Sequence, residues 1–133
     1  NLNMFFYDPK FKKTLPYYDR FPLVLPLERY ADGFLGINLH YLPIPLRIRL
    51  LDELMDYSTD TKFDSKTKIN ADYRQLKNVK LLKPTLKRYL AGKVKSRFRR
   101  VDADEFTVAT LLPVQRFSKA SDKKVWSDSR SMI

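Results

Sequence analysis

The sequence holds one histidine, His40, and no cysteine. A nucleophilic triad needs a nucleophile, a base within hydrogen-bond reach and a group that orients the base. No glycine-rich elbow stands near any serine, and His40 lies on the polar side of an alternating stretch, FLGINLHY. A hydrogen-bonded or exposed structural histidine is therefore expected, and no catalytic residue is assigned. The absence of cysteine excludes disulfides, thiolate zinc sites, iron–sulfur clusters and a cysteine nucleophile, and leaves the redox compartment open. Carboxylates offer two further arrangements. Asp56, Asp60 and Asp64 are spaced by four but lack the central glycine and terminal glutamate of a calcium loop, so a solvated loop is expected. Asp102, Asp104 and Glu105 form the one tight acidic group near basic residues and could serve a metal-dependent nuclease. Asp102-x-x-Glu105 is also the pattern of a helix capping box, which explains the same residues without chemistry. Asp32-Gly33-Phe34-Leu35-Gly36 lacks the Lys-Ser/Thr ending of a phosphate loop. No metal, cofactor or small-molecule substrate is expected.

The basic residues carry the stronger signal. The net charge of the 133 residues is +11, and all of it falls in the second half: residues 1–66 are neutral overall, residues 67–133 carry the excess. Between Arg74 and Arg100 stand eleven basic side chains and no acid: Arg74, Lys77, Lys80, Lys83, Lys87, Arg88, Lys93, Lys95, Arg97, Arg99 and Arg100. A block of one sign draws polyanions or an acidic protein surface, and a merely solubilising surface would intersperse acids. These eleven are the candidate nucleic-acid or acidic-partner contacts. There is no helix-turn-helix, zinc-finger or RNA-recognition pattern, so binding to DNA is expected to be nonspecific and salt-sensitive. Tyr7, Tyr17, Tyr18 and Phe21 could stack on bases, although core or interface packing is the commoner use. Tyr17, Tyr18, Arg20 and Trp126 are the candidate protein-interface anchors.

The elements that must position these residues follow from periodicity and breakers. Six of the eight prolines precede residue 46, which implies edge strands and firm turns early in the chain. NMFFY (3–7) suggests a short strand ended by Asp8-Pro9. Phe21–Leu25 and Leu27–Tyr30 suggest one strand kinked at Pro26. Asp32-Gly33 signals a tight turn with positive φ, joining residues 23–30 to 34–41 as a hairpin, with Gly36 at a bulge or a close backbone approach. Pro45 suits a first helical turn, and Leu46, Leu50, Leu51, Leu54 and Met55 recur at helical spacing, predicting a helix over 45–57. Ser58–Asp64 should be a loop. Ile69, Tyr73 and Leu76 predict a helix over 67–78, with Thr67 as a cap and Asn78 as a stop. Pro84 opens a third predicted helix, 84–99, in which Leu86, Leu90, Val94 and Phe98 recur every four residues, Gly92 weakens the middle and basic residues cover the remaining surface. Phe106–Leu112 is β-branched and apolar, predicting a strand ended by Pro113.

The expected fold is α+β: a small antiparallel sheet containing a β-hairpin, packed with about three helices. Residues 1–117 should form one basic domain, with 118–133 a short helix or docking tail. With 44% hydrophobic and 14% aromatic residues the chain can build a real core. Apolar runs reach about five residues, too short to span a membrane. Asn1–Tyr7 lacks the charged and long apolar regions of a signal peptide. The chain opens at Asn1 without an initiator methionine, which leaves open a missing N-terminal portion.

Several stretches together resemble a small virion-associated protein of T4-like contractile-tailed bacteriophages, notably those of marine cyanobacteria. They are Phe6-Tyr7-Asp8-Pro9-Lys10, Leu15-Pro16-Tyr17-Tyr18-Asp19-Arg20-Phe21-Pro22-Leu23, the run from Asp32 to Leu42, and Val125-Trp126-Ser127-Asp128-Ser129-Arg130. The resemblance implies a non-enzymatic structural component of the tail, the baseplate or the head–tail junction. Such a protein would assemble in the host cytoplasm, reside in the virion and dock on other virion proteins through aromatic anchors and the basic helix. A protein that binds double-stranded DNA and protects genome ends is the alternative it implies.

Overall fold

Residues 23–38 build the frame. In the computed structural model, which describes residues 2–58, 67, 69 and 73–133, strands β3 (Leu23–Tyr30) and β4 (Gly33–Asn38) form the expected hairpin. Tyr30 pairs with Gly33 across Ala31 and Asp32. The turn differs from expectation in one respect: no glycine has positive φ. Gly33 is required for another reason, because a Cβ there would stand 1.9 Å from the carbonyl oxygen of Tyr89 on the next strand. The kink expected at Pro26 is a register break: Pro26 pairs with Gly36 and Glu28 with Leu35, leaving Leu27 as the extra residue. Gly36 also meets the close approach expected of it, since a Cβ would lie 2.3 Å from a Val24 methyl group. β4 stops at Asn38, and Leu39–Tyr41 turns as a 3-10 helix capped by the Asn38 side chain.

Three more strands complete a five-stranded antiparallel sheet. β5 (Leu86–Leu90) pairs with β4, β1 (Asn3–Met4) with β3, and β6 (Arg99–Arg100) with β1, in the order β5-β4-β3-β1-β6. A separate pair joins β2 (Tyr18–Asp19) to β7 (Phe117–Ser118). The helices are α1 (Ile44–Leu54), α2 (Tyr73–Leu76), α3 (Phe106–Leu111) and α4 (Asp122–Met132). The architecture is α+β. No helix of the described residues is long and apolar enough to cross a membrane.

Both sheet faces carry a buried apolar cluster. On one side Leu23, Leu25 and Ile37 pack with Leu50, Leu51 and Leu54 of α1, with Leu76, Leu81 and Leu82, and with Phe106 of α3. On the other, Phe5, Tyr7, Val24 and Tyr89 form an aromatic cluster with Phe34 and Val94. α1 forms as expected, with Pro45 in its first turn and a 3-10 turn, Met55–Tyr57, beyond its end.

Four expected elements are corrected. The predicted helix 84–99 is strand β5, a 3-10 turn at Ala91–Lys93 and an extended run into β6. Hydrogen bonding to β4 on one side and to residues 3–8 on the other outweighs its helical pattern. The predicted strand 106–112 is helix α3, because Phe106 and Thr110 bury one turn apart and Ala109 packs beside them. The helix-propensity cost of Thr and Val, under about 0.7 kcal/mol each, is smaller than the gain from that burial. The capping box is absent: Glu105 caps α3 without a side-chain hydrogen bond, and its N–H donates to the Asp102 carbonyl. Among the described residues of the predicted helix 67–78, Tyr73–Leu76 is the helical part, while Ile69 bridges to Ser58 in extended pairing, so Thr67 does not cap it. Asp60, Asp64, most of the predicted loop 58–64, and positions 68 and 70–72 lie outside the described residues.

Candidate nucleic-acid interface

The run from Lys93, which ends the 3-10 turn, to Arg100 reads K-V-K-S-R-F-R-R and is extended from Val94 on. In an extended chain alternate side chains point to opposite sides. The even positions hold this run to the protein. Val94 bridges to Tyr7 and joins the aromatic cluster. The Ser96 hydroxyl accepts from the Phe6 N–H at 2.8 Å. Phe98 packs its ring 4.9 Å from Phe5 and 5.8 Å from Phe34. The odd positions are Lys93, Lys95, Arg97 and Arg99, and Lys95, Arg97 and Arg99 are exposed, with Arg100 beside them. Arg99 reaches Glu105 at 3.5 Å. Lys93, Lys95, Arg97 and Arg100 make no ion pair among the described residues, although Lys95 and Lys93 help to lower the Asp8 carboxyl. At about 3.3 Å per residue the run spans roughly 23 Å, enough to follow several phosphates of a duplex.

The other candidate cations fall into different environments. Lys77, Lys80 and Lys83 line a cleft with Val79, Leu82 and Leu86, flanked by C-terminal Met132 and Ile133. Arg74, at α2, is exposed and already has an interaction partner. Arg88 is tied to Asp32 at 2.7 Å and lies 4.6 Å over the Tyr30 ring. Lys87 is half-buried, its ammonium 4.0 Å from the centre of the Tyr41 ring. Burial lowers its pKa to about 8, and the aromatic face opposes that by favouring the charged form. Of the eleven cations, five stand on the outer run at 93–100, where Arg99 meets Glu105; Lys77, Lys80 and Lys83 line the cleft; Lys87 and Arg88 are engaged by Tyr41, Tyr30 and Asp32; and Arg74 lies on α2.

The four expected interface anchors are only partly free. Tyr18 begins β2 and is half-buried, and Tyr17 lies 6.3 Å from Tyr41 with Asp128 as a hydrogen-bond partner. Tyr18 and Asp19 thus belong to a paired strand, β2 against β7. Trp126, expected to meet a partner, donates its indole N–H to the His40 carbonyl at 2.8 Å within the same chain. Arg20 is exposed and reaches a cleft that also holds Arg116, a residue the charge block does not include.

Beneath this surface sits a buried polar node. Asp19 accepts from the N–H groups of Phe21 and Arg116 and from the Asn38 amide, and lies 2.8 Å from His40 Nδ1. Burial raises the Asp19 carboxyl, but the His40 bond and charge, with the other donors, more than offset it and leave the pKa lowered. His40 is fully buried and bonded to Asp19, and it sits in the 3-10 turn, where the sequence suggests a strand. A second node escaped sequence reading. Arg47 of α1 is fully buried. It donates to the carbonyls of Leu42 and Thr110 and to the Gln115 side chain. Gln115 in turn donates to Asp122 of α4. Desolvation lowers the Arg47 pKa to about 10.

Asp102, Asp104 and Glu105 do not assemble a metal site: among the described residues no three metal-ligating side chains cluster. Glu105 instead faces Arg99. Residues 1–129 match the model of the family described as Phage T4 terminal DNA protecting protein. Neither curated proteins nor solved structures yield a match.

Proposed function

The chain belongs to the family of the phage T4 terminal DNA protecting protein, and from that premise we propose that it is a DNA-binding protein that covers the ends of a T4-like phage genome. The observation that carries the proposal is the outer run of cations from Lys93 to Arg100, which among the described residues no carboxylate pairs with apart from Glu105 on Arg99. Cations at period two along a rigidly bonded segment contact phosphates without reading bases. The role is non-catalytic: binding and occlusion are sufficient to keep an exonuclease from a duplex end. The family match favours this reading over a tail or baseplate subunit. The protein would travel with the DNA in the virion, and contacts with other virion proteins would be secondary.

Equilibrium binding to a short labelled duplex across a salt series tests the proposal, with a covalently closed circle as comparison. Affinity should fall steeply with salt, because each neutralised phosphate releases counterions. The triple variant K95Q/R97Q/R100Q should flatten the log–log slope by about 3, roughly one per lost phosphate contact. K87Q, which removes an ammonium engaged by Tyr41, should leave the slope within about 0.5 of the original. Linear duplex should also resist exonuclease in the presence of the protein. An unchanged slope in the triple variant, or equal digestion with and without protein, would defeat the reading.

A further inference from the structure

Phe6, Arg20, Lys95 and Arg116 are distant in sequence and converge on one cleft of about 470 Å³, with Tyr18 and Asp8 at its sides. Backbone hydrogen bonds clamp the segments that carry them. The Tyr7 N–H donates to the Arg20 carbonyl at 3.0 Å, the Lys95 N–H to the Phe6 carbonyl at 2.8 Å, and the Arg20 N–H to the Arg116 carbonyl at 2.9 Å. The cations thus project from a fixed frame. Arg20, Lys95 and Arg116 make no ion pair among the described residues. The one carboxylate at the cleft, Asp8, is held by Lys12 at 3.0 Å, and that bond first of all keeps its pKa low. The Phe6 ring stacks on Phe21 at 4.6 Å and remains 47% exposed, so an aromatic surface stands open beside three cations.

We propose that this cleft receives the terminal nucleotide of a DNA duplex: the end phosphomonoester lies among Arg20, Lys95 and Arg116, and the last base rests on Phe6. Two physical differences separate an end from the middle of a duplex. A phosphomonoester carries about −1.5 to −2 charges at neutral pH, more than the single charge of an internal diester. Internal bases are stacked on both faces, whereas a terminal base keeps one π-face free for an aromatic ring. Concentrated cations next to an open aromatic ring answer both. Guanidinium groups suit this ligand because they form paired, charge-assisted hydrogen bonds to phosphate oxygens. The inference rests on the end-binding reading above and adds the place and chemistry of end recognition.

The experiment compares four probes of one sequence: a blunt duplex with 5′-phosphates, with 3′-phosphates, with hydroxyls only, and a closed circle. The wild-type protein should bind one phosphorylated end roughly tenfold more tightly than the hydroxyl end, the size of a charge-assisted hydrogen bond. The arm that gains identifies which terminus enters the cleft. R20Q and, separately, K95Q should abolish the phosphate preference and retain a preference for ends over the circle. F6A should lower the preference for hydroxyl ends over the circle. Thermal melts confirm folding, since these side chains are exposed and the backbone bonds remain. If linear duplexes outcompete the circle but phosphate makes no difference, or if R20Q and K95Q both keep the phosphate preference, this site is overturned and end binding stands. If ends and circle bind alike, the end-binding reading falls, and this site falls with it.

Discussion

Asp19 shows how one residue serves both the fold and the surface above it. Its carboxylate oxygens gather Phe21, Asn38, His40 and Arg116, so it fixes the backbone from which Arg20 and Arg116 project. Removing one partner from a buried charged network costs about 3 kcal/mol. Asp19→Asn should lower stability at pH 7 by that order, read as a shift in the urea unfolding midpoint. The pH dependence has a definite sign. The folded carboxyl titrates below the unfolded value of about 3.9, so its contribution is complete above about pH 4 and is lost as pH falls through the folded value. The difference between wild type and variant should therefore narrow at pH 3. A constant difference would show that the charge is not what stabilises the node.

At the level of elements, the strand pairs depend on where a side chain is missing. Gly33 lets β4 approach β5, since a Cβ would collide with the Tyr89 backbone. Gly33→Ala should cost about 3 kcal/mol, because a backbone and not a flexible side chain must move. Gly92 has nothing within 4 Å and no positive φ. Gly92→Ala should stabilise by about 0.5 kcal/mol through the unfolded chain. Paired thermal or urea unfolding of the two variants checks the contrast, and similar losses at both positions would contradict the pairing of β4 with β5. The element that sequence reading placed wrongly teaches the most. Leu86, Leu90, Val94 and Phe98 recur every four residues, which satisfies a helix, but four is also twice two. The finer pattern at 93–99 alternates basic with Val94, Ser96 and Phe98, and that alternation was the signal for an extended segment.

For the molecule as a whole, the +11 charge makes folding and binding respond oppositely to salt. Like charges repel within the compact state, and salt screens them beyond about 8 Å at 0.15 M. Thermal stability should rise between low salt and 0.15 M, while duplex affinity falls over the same interval. Differential scanning fluorimetry beside a binding titration tests this, and a melting temperature that falls in parallel with affinity would refute it. α4 belongs to the same whole: Val125 is fully buried and Trp126 bonds to His40, so the last residues close on the chain's own core.

The sequence by itself determined the α+β class, the hairpin around Asp32-Gly33, helix α1 behind Pro45, the confinement of positive charge and the likeness to T4-like phage proteins. These are local properties: period, breakers and composition act within a few residues. The tertiary structure alone decided that residues 84–100 form a strand, a 3-10 turn and an extended run instead of a helix, and that 106–111 are helical. It also decided that Arg47 is buried and that Phe6, Arg20, Lys95 and Arg116 share a cleft. Each of these rests on partners far apart in the chain, as in the bond from Phe6 to Ser96 across 90 positions. Where two local patterns fit a segment equally, the backbone groups that satisfy its hydrogen bonds choose between them, and their positions are set by the fold.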